Sequence, residues 1–200
     1  MSRIIQTHVF PLYPPTGPVR VMLFGEAPGP RGADQSGVPF WGDRAGVLVY
    51  RALEAAGLAQ VPREAYTDWD GAGFRERGLF PVLRAAALSN AFPFCPSRDL
   101  QTFRAPTDAE LRAPGNLARL RQELGAAAAR CPGTLRVITL GRRAQWIFQN
   151  LEGAPDFQWH GLPHPSAQGL LQAAPGKGKG LKMADLQKAW EASLAALLAP

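Results

Sequence analysis

The sequence predicts an α/β fold: a single domain in which a central, mostly parallel four-stranded sheet is flanked by helices. Three observations predict it. Short apolar runs of strand length alternate with helical patterns about four times along the chain. No hairpin signal joins consecutive runs, so the strands lie parallel with helical crossovers between them. The chain has 200 residues, 46% of them hydrophobic, which is enough for one well-buried core and cramped for two. Residues 1–200 are therefore one unit, with 1–18 a Pro-rich lead-in and 182–198 a closing amphipathic helix.

The elements follow in order. Pro11 to Pro18 carries four prolines and a glycine and predicts an extended lead-in. Val19 to Phe24 is a buried strand, stopped by Gly25, and a loop rich in Gly and Pro runs to Gly42. Asp43 stands where a helix cap would, ahead of a helix over Arg44 to Ala56 with Val47, Tyr50 and Leu53 on one face and Gly57 as its stop. Tyr66 to Gly78 has no periodicity and predicts irregular structure. Ala85 to Ala91 is a second strand, ended by Pro93 and Pro96. Thr107 and Glu110 have capping-box spacing, Pro114 interrupts that short helix, and Asn116 starts a longer one through Leu120 and Leu124. Arg136 to Leu140 is a third strand, Gly141 turns into a helix over Arg142 to Asn150, and Phe157 to His160 is a fourth strand. Lys182 to Leu198 closes the chain with Met183, Leu186, Trp190, Leu194 and Leu197 inward.

Ligands of parallel sheets bind beyond the carboxyl ends of the strands. Three polar loops leave those ends: Gly25 to Asp43, Asn90 to Arg104, and Gly161 to Gly169. Composition narrows the ligand. Lys and Arg number 22 against 16 Asp and Glu, a net +6 that favours an anionic partner such as nucleic acid. The glycines at 25, 29 and 32 do not make GxGxxG, and no GK[ST] follows, which disfavours a nucleotide-cofactor enzyme. Cys95 and Cys131 belong to no CxxC pair and read as structural thiols. Met1 to Arg20 has no long apolar stretch, and no segment reaches the ~18 apolar residues of a membrane span. The expectation is a cytoplasmic monomer with no membrane partner.

Four segments occur in a telling order: GEAPG at 25–29, PFWGDRAG at 39–46, LSNAF at 88–92 and HPSAQG at 164–169. Together they resemble the uracil-DNA glycosylase superfamily over residues 19 to 170. The first resembles the iron–sulfur-bearing GEAPG branch, family four; the loop GPRGADQSGVPFWGDRAG also resembles family five. The chain is thus intermediate. Both branches carry four cysteine ligands for a [4Fe–4S] cluster, whereas two cysteines occur here, so no metal and no cofactor are expected.

The resemblance implies a uracil-DNA glycosylase-like fold and a monofunctional glycosylase that excises a deaminated base, uracil first, from DNA for base excision repair. Gly25, Ala27, Phe40 and Asn90 then bind the flipped base: Phe40 by stacking, Asn90 through an amide that matches uracil O4 and N3–H. His164 stabilises the anionic leaving base. Glu26 and Asp43 are the two candidates for holding the attacking water, Glu26 the first choice and Asp43 equally suited to capping the helix. Ser166 and Gln168, with Lys177, Lys179 and Lys182, face the DNA; Gln168, Leu170 or Leu171 would fill the gap left by the base. Asp34 orders its loop, and Trp41 and Arg31 tune the pocket.

Each residue has a plainer reading: Phe40 as core, Asn90 as a turn former, His164 as a loop histidine, the lysines as a solvated linker. Two other functions compete. A glycosylase fold without activity would bind damaged or single-stranded DNA and release no base. An unrelated α/β hydrolase would act on a nucleoside or small phosphorylated substrate, against which stands the absence of GxSxG and of a P-loop.

Overall fold

A computed structural model describes residues 3–199. The first strand, β1 (Val19–Gly25), is apolar on both sides, as a strand covered on two faces must be. The loop behind it contains the short α1 (Ala33–Ser36) and leads to α2 (Arg44–Ala55). A two-stranded antiparallel ribbon, β2 (Ala59–Gln60) with β3 (Val82–Leu83), encloses a 3-10 turn at Arg63–Tyr66 and α3 (Gly71–Arg77). Then come β4 (Ala85–Asn90), α4 (Asp108–Arg112), α5 (Pro114–Ala128), β5 (Leu135–Leu140), α6 (Arg142–Gln149), β6 (Phe157–Leu162), α7 (Ala167–Ala173) and α8 (Met183–Leu198).

The main sheet has the order β4-β1-β5-β6, all parallel. Alternation along β1 divides the core in two. Val21 and Leu23 point into the layer containing Leu53 of α2 and Trp190 and Leu194 of α8. Met22 and Phe24 point into the layer containing Leu120 and Leu124 of α5 and Phe148 of α6. β1 and β5 are neighbours, but the helices that follow them lie on opposite faces. A crevice therefore opens between their carboxyl ends, the switch point where α/β sheets bind ligands.

The lead-in is extended, as its prolines require, and lies antiparallel against the outer edge of β4, where Leu12 and Leu88 exchange backbone hydrogen bonds of 2.8 and 2.9 Å. That covers an edge that would otherwise be open to pairing. The capping box ahead of α4 is complete: Thr107 accepts from the Glu110 N–H, and the Glu110 carboxylate accepts from that of Thr107.

Three expectations need correction, and one pair of strands was not foreseen. The 66–78 segment is not irregular: Asp70 caps α3 by accepting from Gly73 N at 2.8 Å, and Gly78 ends it in a left-handed conformation. Its period was hidden because only Gly71 and Phe74 of its seven residues are buried. The β2–β3 pair is too short to leave a sequence pattern. α5 begins at Pro114, whose missing N–H is no loss in a first helical turn, rather than at Asn116. Asp43 precedes α2, but its side chain makes no capping bond there.

Candidate active site

The carboxyl ends of β1 and β4 meet in register, Gly25 opposite Asn90. A Cβ on Gly25 would lie 2.7 Å from Asn90 Oδ1 and 2.8 Å from Cε1 of Phe40, so only glycine lets amide and ring close into so narrow a slot. Asn90 is 2% exposed, yet its Nδ2 has no hydrogen-bond partner among the described residues. A buried donor left unpaired is rare and calls for a partner that the protein itself does not supply. The Phe40 ring is buried as well, on a backbone with φ of 62° that costs about 1–2 kcal/mol for a non-glycine residue. Its neighbours impose the strain: Tyr50 Oη donates to Pro39 O at 2.8 Å, and the Phe40 carbonyl lies against Gly46, where any Cβ would sit 1.7 Å from it.

Glu26 follows directly and reaches across the crevice. Its Oε1 accepts from the backbone N–H of Arg143, in the first turn of α6, at 3.0 Å, and a Cβ on Gly141 would approach that oxygen to 2.4 Å. One carboxylate oxygen is thus anchored at a helix N-terminus, where negative charge is favoured. Ala27 continues this turn, half-buried. His164 completes the group: burial lowers its pKa, and the adjacent Glu26 carboxylate opposes that. His164 Nδ1 accepts from Ser166 N at 3.2 Å, so a neutral ring carries its proton on Nε2, as a donor. Gly169 allows α7 to close over the ring, since a Cβ there would lie 2.3 Å from the His164 carbonyl.

Asp43 is bound to the backbone of the pocket loop. Its Oδ2 accepts from Gly29 N at 3.3 Å and Ala33 N at 3.1 Å, clamping the pocket loop onto the start of α2. Burial pushes its pKa up to about 6, against the pull of the N–H groups at Ala33, Gly29 and Gly32. Asp34, fully buried, ties the lead-in to its own loop, accepting from Ile5 N at 2.8 Å and Thr7 N at 3.2 Å and from Gln35 Nε2 at 3.3 Å. Trp41 is not a pocket wall: it is fully buried against Tyr50, Trp69 and Phe74, and its Nε1 donates to Leu79 O. Arg31 is exposed on the loop surface.

Along the rim, Ser166 caps α7 by accepting from Gly169 N at 3.1 Å, and Gln168 is exposed in the first turn. Leu170 is 4% exposed and packed in the core, which removes it as a wedge; Leu171 is half-buried against Gly178. Lys177, Lys179 and Lys182 are exposed between α7 and α8, and none of the three ion pairs among the described residues involves them. Sequence reasoning missed Gly141, Arg142 and Arg143. The Arg142 guanidinium donates to Gln172 of α7 at 2.8 Å and Arg143 pairs with Asp108 of α4, so the start of α6 ties the site's loops together. The glycine before two arginines at a strand end was the available signal. A cleft of about 280 Å³ beside Arg20, Cys131 and Arg136 lies at the opposite, amino-terminal edge of the sheet.

A model of the uracil DNA glycosylase superfamily matches residues 10–192. The chain belongs to the uracil-DNA glycosylase superfamily. It is also 35% identical over 94 residues to a type-5 uracil-DNA glycosylase of Thermus thermophilus, an alignment covering 47% of this chain and 36% of that relative. The chain thus matches about a third of the relative's length. The iron–sulfur cluster of the branches this superfamily member resembles needs four thiolates. Only Cys95 and Cys131 exist here, one beyond the carboxyl end of β4 and the other ahead of the amino end of β5, toward opposite ends of the parallel strands. Burial pushes the Cys95 thiol up to about 12, which disfavours a thiolate. These residues do not fit the cluster. No helix among the described residues is long and apolar enough to cross a membrane.

Proposed function

We propose that the protein is a monofunctional DNA glycosylase that hydrolyses the N-glycosidic bond of a deaminated nucleotide, uracil first, and leaves an abasic site. The observation that carries this reading is the buried, unpartnered Nδ2 of Asn90 beside the Phe40 ring and above side-chain-free Gly25. A uracil rotated out of the stack would part ring and amide to enter there, its face on Phe40, with Asn90 Nδ2 donating to O4 and Asn90 Oδ1 accepting from N3–H. The type-5 relative's description supports uracil as the base.

The chemistry follows from charge. As the bond between C1′ and the base nitrogen breaks, its electron pair leaves with the base and positive charge grows on the sugar. The His164 Nε2–H donates to the developing charge on O2, as a neutral donor kept so by burial. Glu26, with Oε1 anchored on Arg143 N, uses its second oxygen to orient a water and accept its proton as the water oxygen joins C1′. Asp43 is assigned to the loop clamp instead, both backbone donors being bound to its carboxylate. No lysine is among these pocket residues, so strand cleavage through a Schiff base has no support.

Labelled oligonucleotides carrying uracil, hypoxanthine or xanthine, single-stranded and paired, test the reading through base release and alkali-labile sites. Release by the wild type that disappears in Glu26→Gln and His164→Ala supports it. DNA binding without release would make the protein a recognition module, and release from free nucleosides alone would make it a nucleoside hydrolase.

A further inference from the structure

We infer that Arg119 of α5, braced by Asn116 and Glu123, is a positioning residue for base recognition that fixes the main chain of Asn90 from the side opposite the pocket. The inference rests on the reading that Asn90 binds the base edge.

β4 is an edge strand of the sheet, and the lead-in bonds to this part of the chain at Leu88 and again at Pro93, where Val9 N donates at 2.9 Å, leaving the carbonyls between them without a lead-in partner. The carbonyls of Asn90 and Ala91 therefore lack a strand partner on that side. Arg119 Nη2 replaces it, donating to Asn90 O at 2.9 Å and to Ala91 O at 3.0 Å. Asn116 Nδ2 adds a bond to Ala91 O at 2.9 Å, and its Oδ1 accepts from Arg119 Nη2 at 2.9 Å. Glu123 holds the other arm of the guanidinium, Nη1 to Oε1, at 2.5 Å, and takes Ser89 Oγ at 2.7 Å. From the opposite side β1 holds the N–H groups: Ala91 N donates to Gly25 O at 2.8 Å and Phe92 N to Glu26 O at 3.0 Å. Residues 89–92 are thus gripped on both sides, their backbone donors by β1 and their backbone acceptors and the Ser89 hydroxyl by α5.

The Arg119 and Glu123 side chains are only 14% and 6% exposed. A buried ion pair repays its desolvation poorly, and apolar residues of similar size often stabilise as well or better. This pair instead holds the planar guanidinium by Nη1, so that Nη2 is aimed at two successive carbonyls, a geometry that the flexible point charge of lysine does not pre-set. The consequence is an Asn90 amide whose oxygen is held over Gly25 while its nitrogen stays free. Displacing a recognition group by about 1 Å costs about 10²-fold in rate.

A double-mutant cycle tests this. Arg119→Met and Arg119→Met/Glu123→Gln, which strands no carboxylate, are each made in wild type and in Asn90→Ala. Base release from uracil oligonucleotides gives kcat/KM, and a tetrahydrofuran abasic oligonucleotide gives base-independent affinity. In the wild-type background kcat/KM falls about 10- to 100-fold while abasic-site affinity stays within about twofold; in Asn90→Ala the same changes cost nothing further. An equal loss in both backgrounds, or abasic-site affinity falling in step with kcat/KM, overturns the inference. If Arg119→Met unfolds, the double variant carries the test, and its unfolding as well would make the network structural and overturn the inference. Wild type that releases no base from any oligonucleotide sinks the proposed function itself.

Discussion

Gly25 and Asn90 face each other at the ends of adjacent parallel strands, and a methyl group on Gly25 would lie 2.7 Å from the Asn90 amide oxygen and 2.8 Å from the Phe40 ring. The slot exists because a side chain is absent. Gly25→Ala should therefore lower kcat/KM on uracil DNA by at least about 10²-fold, with an overpacking cost of about 1–3 kcal/mol. Steady-state kinetics with thermal melting checks this; near-wild-type activity would show that the slot is not the base site.

Glu26→Gln keeps the acceptor for Arg143 N and removes only the charge. The substitution should lower kcat by about 10²- to 10⁴-fold, with stability changed by less than about 1 kcal/mol. Single-turnover base release and urea unfolding measure the two effects. A large loss of stability would instead make Glu26 chiefly the clamp on α6.

Asp43 makes stability depend on pH with a definite sign. Its pKa rises from 3.8 to about 6 in the folded chain because of burial, so between those values the folded state holds a proton that the unfolded state has lost. The stabilisation is complete below pH 3.8 and disappears as pH rises through about 6. Asp43→Asn lacks this slope. The unfolding free energy of wild type relative to the variant should drop by on the order of 2–3 kcal/mol between pH 4 and 7, read from urea titrations at each pH.

Lys177, Lys179 and Lys182 bear on DNA affinity through salt. If all three meet phosphates, replacing them with alanine should reduce the slope of log affinity against log salt by about 2–3, with kcat unchanged. Fluorescence anisotropy over a salt series measures it, and an unchanged slope would leave these lysines as a solvated linker.

The four strands of the main sheet and the helices α2, α4, α5, α6 and α8 were legible because their signals are local. Val19–Gly25, Ala85–Asn90 and Leu135–Leu140 are apolar runs of strand length, and the Thr107–Glu110 capping box sits within four residues. The resemblance pointed to Gly25, Phe40, Asn90 and His164, and the fold brings Gly25, Phe40 and Asn90 to one slot, with His164 close to Glu26. The helix α3 was not legible, because its support is Gly71 packing against the backbone of Gly32 rather than a periodic apolar face.

By itself the sequence determined the order of the main-sheet strands and the longer helices and which side chains each loop carries, since hydrophobic periodicity, caps and side-chain type act over a few residues. Tertiary structure alone decided what those side chains do. Glu26 meets Arg143 across 117 positions, Asn90 meets Arg119 across 29, and Asp43 turns from its own helix to Gly29 and Ala33. Hydrogen bonds between groups so far apart depend on strand order and register, which arise only when the sheet has assembled and both of its faces are buried.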